Sequence, residues 1–200
     1  FIVNRSHPLA AKLSQDINND FSSSPDHPAG YLSTGFGQQG MHISFSVNGV
    51  PFGMDVAGKH NMENALAAAA AAHQAGVSLQ DCAIAAAKYQ GIFRRHQVLG
   101  QKNGVWLIDD YAHNPVKCAA AMEACQPLAS KVVAWFQPHG YAPTKFLRKD
   151  FVKEICSALR PGDEIWMSEI FYAGGTAVKD ISANDLINDI KAEGKNAYFV

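Results

Sequence analysis

Apolar and polar residues alternate through residues 43–56, ISFSVNGVPFGMDV, on both sides of Asn48-Gly49. Alternation places one set of side chains on a single sheet face. Asn-Gly tolerates the left-handed φ values of a type I′ turn, so this stretch predicts a β-hairpin. The period then changes. Residues 61–75 are mostly helix formers, alanine above all, and Gly76 follows as a stop. Ser78 is placed to cap a second helix reaching Tyr89, with Asp81 in its first turn. Ahead of the hairpin the pattern predicts a short strand at residues 1–3, a helix over 8–17 and a turn-rich loop over 18–30.

After Gly91 strand and helix alternate. Strands are predicted at 105–109, 132–136, 164–168 and 197–200, with helices at 115–128, 146–159 and 182–193. The strands are near-continuous apolar runs, as in a parallel sheet covered by helices on both faces. The fold class is therefore α/β, a small doubly wound domain with a mostly parallel sheet, preceded by a β-hairpin and two helices. Gly91 is the candidate boundary, giving one domain at 1–90 and a second at 91–200.

Composition narrows the function classes. The 200 residues are 48% hydrophobic and 18% charged, enough for a real core. A formal net charge of −1 gives no basic field for nucleic acid or an anionic membrane. No apolar run reaches the roughly 18 residues of a membrane span. The four cysteines, Cys82, Cys118, Cys125 and Cys156, form no C-x-x-C pair. At least three fall inside apolar helical patterns and read as buried free thiols, which suits a reducing cytoplasm. The opening FIVNRSHP is no signal peptide and reads as a strand already running, so a fragment of a longer polypeptide is expected.

In an open parallel sheet, ligands bind beyond the carboxyl ends of the strands. Three successive strands carry polar clusters there. IDDYAHNP holds Asp110, Tyr111 and His113; FQPHGYAPTK holds His139, Tyr141 and Lys145; SEIFYAGG holds Glu169 and Tyr172. Singly, each has a plain structural explanation. Asn114-Pro115 is an N-cap followed by proline at N1, a lone loop histidine is usually just solvated, and Gly174-Gly175 makes a turn. Three clusters at equivalent strand ends favour a shared active-site edge. His60, Asn61 and Asn64 begin the alanine-rich helix. Asn61 and Asn64 share a face, so their amides suit either a helix cap or the edge of a planar heterocycle. Arg94-Arg95 suits a solvated pair or a phosphate clamp. Neither G-x-x-x-x-G-K-[ST] nor G-x-G-x-x-G occurs, so a main phosphate cradle must lie outside these residues. A metal-dependent hydrolase built on His113, His139 and Asp110 lacks any supporting ligand spacing, and no metal site is expected.

GKHNMENALAAAAAA, GIFRRHQVLG, IDDYAHNP, FQPHGYAPT and an Ile-Phe-Tyr-Ala-Gly segment occur in this order. Together they resemble the Mur ligase family, closest to the branch that joins L-alanine to UDP-N-acetylmuramate and to its peptide-adding relatives. The resemblance implies that residues 1–90 are the tail of a central P-loop ATPase domain. It makes 91–200 a Rossmann-like C-terminal domain, incomplete at its end. It also implies missing N-terminal domains of the same polypeptide. The implied cofactors are ATP and Mg2+. The implied partners are a UDP-N-acetylmuramate-type nucleotide sugar and an amino acid or peptide, with no nucleic acid and no membrane. The implied reaction forms an amide through an acyl phosphate, in peptidoglycan synthesis or recycling. By the same resemblance His60, Asn61 and Asn64 hold adenine and Arg95 approaches the nucleotide phosphates. Asp110 lies near ribose and phosphates, and Tyr111 and His113 face the acyl phosphate and the amine. His139, Tyr141, Lys145 and Tyr172 lie on the substrate side. The central and C-terminal domains would close around ATP and exclude water.

Two departures bear on the acceptor. Gly140 and Pro143 stand where the alanine-adding branch carries two arginines, and Gly175 stands where it carries a glutamate. A bidentate arginine is not replaced without loss. Lys145 or Arg148 is the expected substitute. The alternative expectation is a non-catalytic nucleotide- or sugar-binding paralogue that has lost acceptor chemistry. The fragment alone is expected to be inactive.

Overall fold

The structure is a computed structural model that describes residues 1–172 and 174–200. The chain divides into two compact units, Phe1–Phe93 and Arg94–Val200.

The first unit holds β1 (Phe21–Ser22), β2 (Tyr31–Gln39), β3 (His42–Val47) and β4 (Val50–Met54) in one sheet of that order. Its helices are α1 (Pro8–Ala11), α2 (Lys59–Gln74) and α3 (Leu79–Ala87). The hairpin turns where the alternation placed it. Asn48 has φ 48° and Gly49 φ 82°, so the tight turn of the antiparallel β3–β4 pair fits the strand twist. One sheet face buries Ile43, Phe45, Val47, Phe52 and Met54 against Met62, Leu66, Ala69 and Ala70 of α2. The alanines let the helix approach the sheet closely. Each larger side chain that leaves water contributes about 1.5–3 kcal/mol. Gly76 ends the α2 region at φ 95°, and the Ser78 hydroxyl accepts the Asp81 N–H at 3.1 Å to start α3.

Before the hairpin the outcome differs from expectation. Residues 1–3 form no strand; Asn4 makes only an isolated bridge to Phe21. The expected 8–17 helix stops at Ala11, and the expected 18–30 loop contains β1. One buried carboxylate explains much of this. Asp20 accepts the Val3 N–H at 3.2 Å and the Ser14 hydroxyl, drawing both segments to itself. A buried carboxylate must be satisfied, and here it overrides weak helix propensity.

The second unit has an α/β core. β7 (Val133–Phe136), β8 (Glu164–Met167) and β9 (Asn196–Phe199) form a parallel sheet of that order. Ala134, Ile165, Met167 and Ala197 pack against α4 (Pro115–Cys125), α6 (Arg148–Ala158) and α7 (Ala183–Ala192) through Met122, Phe151, Ile155, Leu186, Ile187 and Ile190. A short α5 (Tyr141–Phe146) lies where a loop was expected. Arg148 locks α6 to α7 with a fork on Asp189, at 2.7 and 2.9 Å.

One expectation is overturned. The strand at Val105–Asp109, β6, is not the first strand of the parallel sheet. It pairs antiparallel with β5 (Gln97–Lys102) in a separate two-stranded ribbon. Asn103 and Gly104, at φ 52° and 79°, close that ribbon with the same turn chemistry as Asn48-Gly49. A local hairpin costs less closure entropy than a long crossover.

Candidate functional site

The end of β6 gathers four of the expected residues. The chain turns at Arg94-Arg95-His96, where Arg94 (φ 54°) and His96 (φ 49°) are left-handed. Such non-glycine backbone costs about 1–3 kcal/mol each and persists only where neighbours hold it. Here the Arg94 N–H donates to Gln97 Oε1 at 3.0 Å, and the Arg94 carbonyl accepts the Tyr111 N–H at 2.9 Å. The buried His96 donates its N–H to Asp110 Oδ2 at 2.7 Å. The Tyr111 ring lies 5.1 Å from the Arg94 guanidinium and 5.6 Å from that of Arg95. Arg94 is partly neutralised by Asp109 at 3.1 Å. Arg95 makes no ion pair among the described residues.

His113 stands beside this cluster, its ring 5.3 Å from that of Tyr111. Its Nδ1 lies 2.9 Å from the Tyr111 carbonyl oxygen. A carbonyl oxygen only accepts, so Nδ1 carries the hydrogen and Nε2 of the neutral ring presents a lone pair. That nitrogen can take or return a proton in solvent. Behind Asp110, burial first and the Asp110 charge second push the Cys118 thiol up to about 12 and the Cys125 thiol up to about 11. Both stay protonated and inert at neutral pH.

The ends of β7 and β8 gather the other expected residues. The Gly140 N–H donates to the Phe171 carbonyl at 2.9 Å and the Phe171 N–H to the Pro138 carbonyl at 2.8 Å, stapling the two strand ends together. The His139 ring lies 5.0 Å from Phe171. Tyr141 and Tyr172 meet edge to face at 5.5 Å. Lys145 pairs with Asp180. The contacts of this group and those of the β6 group share no residue. The Ile-Phe-Tyr-Ala-Gly motif passes through Ala173, which lies outside the described residues.

In the first unit, Gly58 begins α2 at φ 102°, and its N–H donates to Gln38 Oε1 at 3.0 Å. Asn61 donates its side-chain amide to the Ala57 carbonyl at 2.7 Å, so part of it secures the turn. Asn64 is exposed one turn further on, and His60 is half-buried beside it.

Arg148, one of the two expected substitute cations, has its fork engaged by Asp189. Gly140, at φ 80°, has Pro143 Cδ 3.3 Å from the position of a Cβ, so a larger side chain there would be strained and crowded. Among the described residues no group of three or more His, Cys, Asp or Glu side chains could hold a metal ion, and His113, His139 and Asp110 form none. Among the described residues no helix is long and apolar enough to cross a membrane. Sequence reasoning did not find His96, Lys179 or Asp180. His96 had no signal, because its role is a backbone N–H. Lys179 and Asp180 lie in a stretch without periodicity, and what marks them is spatial: the Lys179 ammonium lies 4.8 Å from the Tyr172 ring centroid, and Asp180 pairs with Lys145.

The family model for the Mur ligase, glutamate ligase domain matches residues 94–200. The UDP-N-acetylmuramate–L-alanine ligase of Sinorhizobium medicae is 37% identical over 141 residues, 68% of this chain and 28% of that protein. The enzyme of the same name from Pelotomaculum thermopropionicum is 34% identical over 149 residues, 74% of this chain and 32% of that one. This chain thus spans less than a third of the length of either relative. Two solved structures share the fold. The UDP-N-acetylmuramate–alanine ligase MurC of Thermotoga maritima has a TM-score of 0.72 at 24% identity, over 100% of this chain and 42% of that one. MurF of Acinetobacter baumannii has a TM-score of 0.73 at 20% identity, over 100% and 42%. With a family model covering more than half its residues, the chain belongs to the Mur ligase family.

Proposed function

We propose that this chain is part of an ATP-dependent ligase of the cytoplasm. It would join a UDP-N-acetylmuramate-type carboxylate to an amino acid or peptide, in peptidoglycan synthesis or recycling. Residues 1–90 would be the tail of the central ATP-binding domain and 91–200 the C-terminal domain. The single observation that carries this reading is the β6 cluster, where Arg95, Asp110, Tyr111 and His113 converge on one exposed edge.

The chemistry asks for what that edge holds. A carboxylate oxygen attacks the γ-phosphorus of ATP, ADP leaves, and an acyl phosphate results. The amine nitrogen then attacks the acyl carbon, the bond from that carbon to the phosphate oxygen breaks, and inorganic phosphate departs. The attacking amine must lose a proton, which the lone pair on His113 Nε2 would take. Negative charge grows on the tetrahedral oxygen, where the unpaired Arg95 and the Tyr111 hydroxyl would stabilise it. Asp110 would act by position, holding the Arg94–His96 turn through the His96 N–H. In the first unit, His60, Asn61 and Asn64 would face adenine, with the Asn61 amide fixed by Ala57. Mg2+ would be held chiefly by residues elsewhere in the polypeptide, and no step above passes through it.

A second reading is a nucleotide- or sugar-binding paralogue without acceptor chemistry. Gly140 and Pro143 favour it, because neither carries the cation of an arginine, and the φ of 80° at Gly140 strains any larger side chain there. Acceptor-dependent ADP release by the full-length protein separates the two. Release that rises with an amine supports the ligase; nucleotide binding with no amine-dependent release supports the paralogue.

A further inference from the structure

We propose that Lys179 determines acceptor specificity: its ammonium, held over the rings of Tyr141 and Tyr172, binds the carboxylate of an amino-acid or peptide acceptor. The inference rests on the ligase reading above and adds to it the group that recognises the acceptor.

Three cations lie near the ends of β7 and β8, and two are already used. Lys145 is paired with Asp180, and Arg148 is forked onto Asp189. Lys179 alone among these three makes no ion pair among the described residues. Its ammonium sits 4.8 Å from the Tyr172 centroid and 5.8 Å from the Tyr141 centroid. An aromatic face orients an ammonium without neutralising it, so the charge and its N–H donors stay available for an anion. Lys145 and Asp180 offset one another, while the Lys179 ammonium keeps a charge with no ion-pair partner among the described residues.

The rings that hold it are themselves fixed. Tyr141 opens α5 directly after Gly140, and Tyr172 follows Phe171, and those two neighbours are joined by the Gly140–Phe171 hydrogen bond. The Tyr172 hydroxyl donates to the Gly175 carbonyl, tying down the segment that leads to Lys179. The Tyr141 hydroxyl makes no hydrogen bond among the described residues and is free to donate to a second carboxylate oxygen. The edge-to-face pair supplies an apolar flank for a short carbon skeleton. A cation, a hydroxyl donor and an apolar wall select an amine that also carries a carboxylate, and they disfavour its amide.

The test uses the full-length polypeptide and four acceptors: L-alanine, L-alanyl-L-alanine and the C-terminal amide of each. ADP release gives kcat/KM for each. Wild type is expected to prefer the acids to the amides by about tenfold or more. K179M should shrink that preference by about tenfold, chiefly through acceptor KM, while K179R keeps most of it. A preference that survives K179M, or a wild type that uses amides as well as acids, overturns the proposal. Amine-dependent ADP release with any of the four supports the ligase reading by itself, so a preference insensitive to Lys179 overturns this proposal and leaves that reading standing.

Discussion

The backbone N–H of His96 reaches Asp110 Oδ2 at 2.7 Å, and this bond ties the left-handed Arg94–His96 turn to the carboxyl end of β6. A hydrogen bond to a charged acceptor is worth about 1.5–3 kcal/mol. Asp110→Ala should therefore lower unfolding stability by about 1–3 kcal/mol and reduce ADP release. Asp110→Asn keeps an acceptor oxygen and should recover most of the stability. Denaturant titration of both variants checks this. Equal stability of wild type and Asp110→Ala would remove the bond from the account.

The same carboxylate reaches two thiols. Burial and then the Asp110 charge hold Cys118 at about 12 and Cys125 at about 11. Near pH 8 the native protein should react with iodoacetamide at these two positions far more slowly than the unfolded chain. The sign is that of raised folded-state values. The stability they contribute is complete below the unfolded thiol value of about 8.5 and is lost as pH rises through the folded values. Asp110→Asn should lower both thiol values and speed labelling of both. Peptide mapping after timed alkylation reads the result.

His113 is exposed, so its loss should cost little stability. His113→Ala is expected to stay within about 0.5 kcal/mol of wild type in unfolding free energy. Turnover should fall about 100-fold or more, as for loss of a positioned base. Parallel melting and ADP-release assays decide between roles; matched losses in both would make His113 structural.

Asp163 supports the second unit rather than the site. Burial alone would raise its carboxyl. The Arg160 guanidinium, the N–H groups of Val132 and Arg160 and the Arg160 charge together outweigh that and hold it below the ordinary value. A depressed folded-state value gives stability that is present above the unfolded value of about 3.9 and is lost as pH falls through the folded one. Acid unfolding should begin in that window, and Asp163→Asn should flatten it. An unchanged acid midpoint in Asp163→Asn would contradict the assignment.

Arg148 should behave as a clamp and not as part of the substrate site. Its fork is part-exposed, so Arg148→Met should cost only about 1 kcal/mol and leave acceptor KM unaltered. A large rise in acceptor KM would return Arg148 to the site.

Much of this molecule was legible because local chemistry and tertiary context agreed. Asn48-Gly49 sits between alternating runs, and the hairpin formed there. Ser78 and Asn114 cap their helices as their neighbours suggested. β2 was missed because YLSTGFGQQ carries two glycines and two glutamines, and its register shifts between Thr34 and Gly37. β5 was missed although Asn103-Gly104 offered the signal read correctly at Asn48-Gly49. QVLGQK holds a glycine and faces solvent on most of its length, which erased the alternation. Without β5, β6 looked like one more strand of the parallel sheet. Asp110, Tyr111 and His113 were placed together by the end of one apolar run, and the structure brings them together at the end of β6, although β6 belongs to the ribbon and not to the parallel sheet. Lys179 was not legible, because what marks it is two aromatic rings distant in sequence from each other.

The most direct measurement is the fate of carboxylate oxygen. UDP-N-acetylmuramate labelled with 18O in its carboxylate is turned over by the full-length protein with ATP and an amine acceptor, and the inorganic phosphate is analysed by mass. The account predicts one labelled oxygen in the phosphate for each amide formed. Unlabelled phosphate, or phosphate released with no amide, would contradict it.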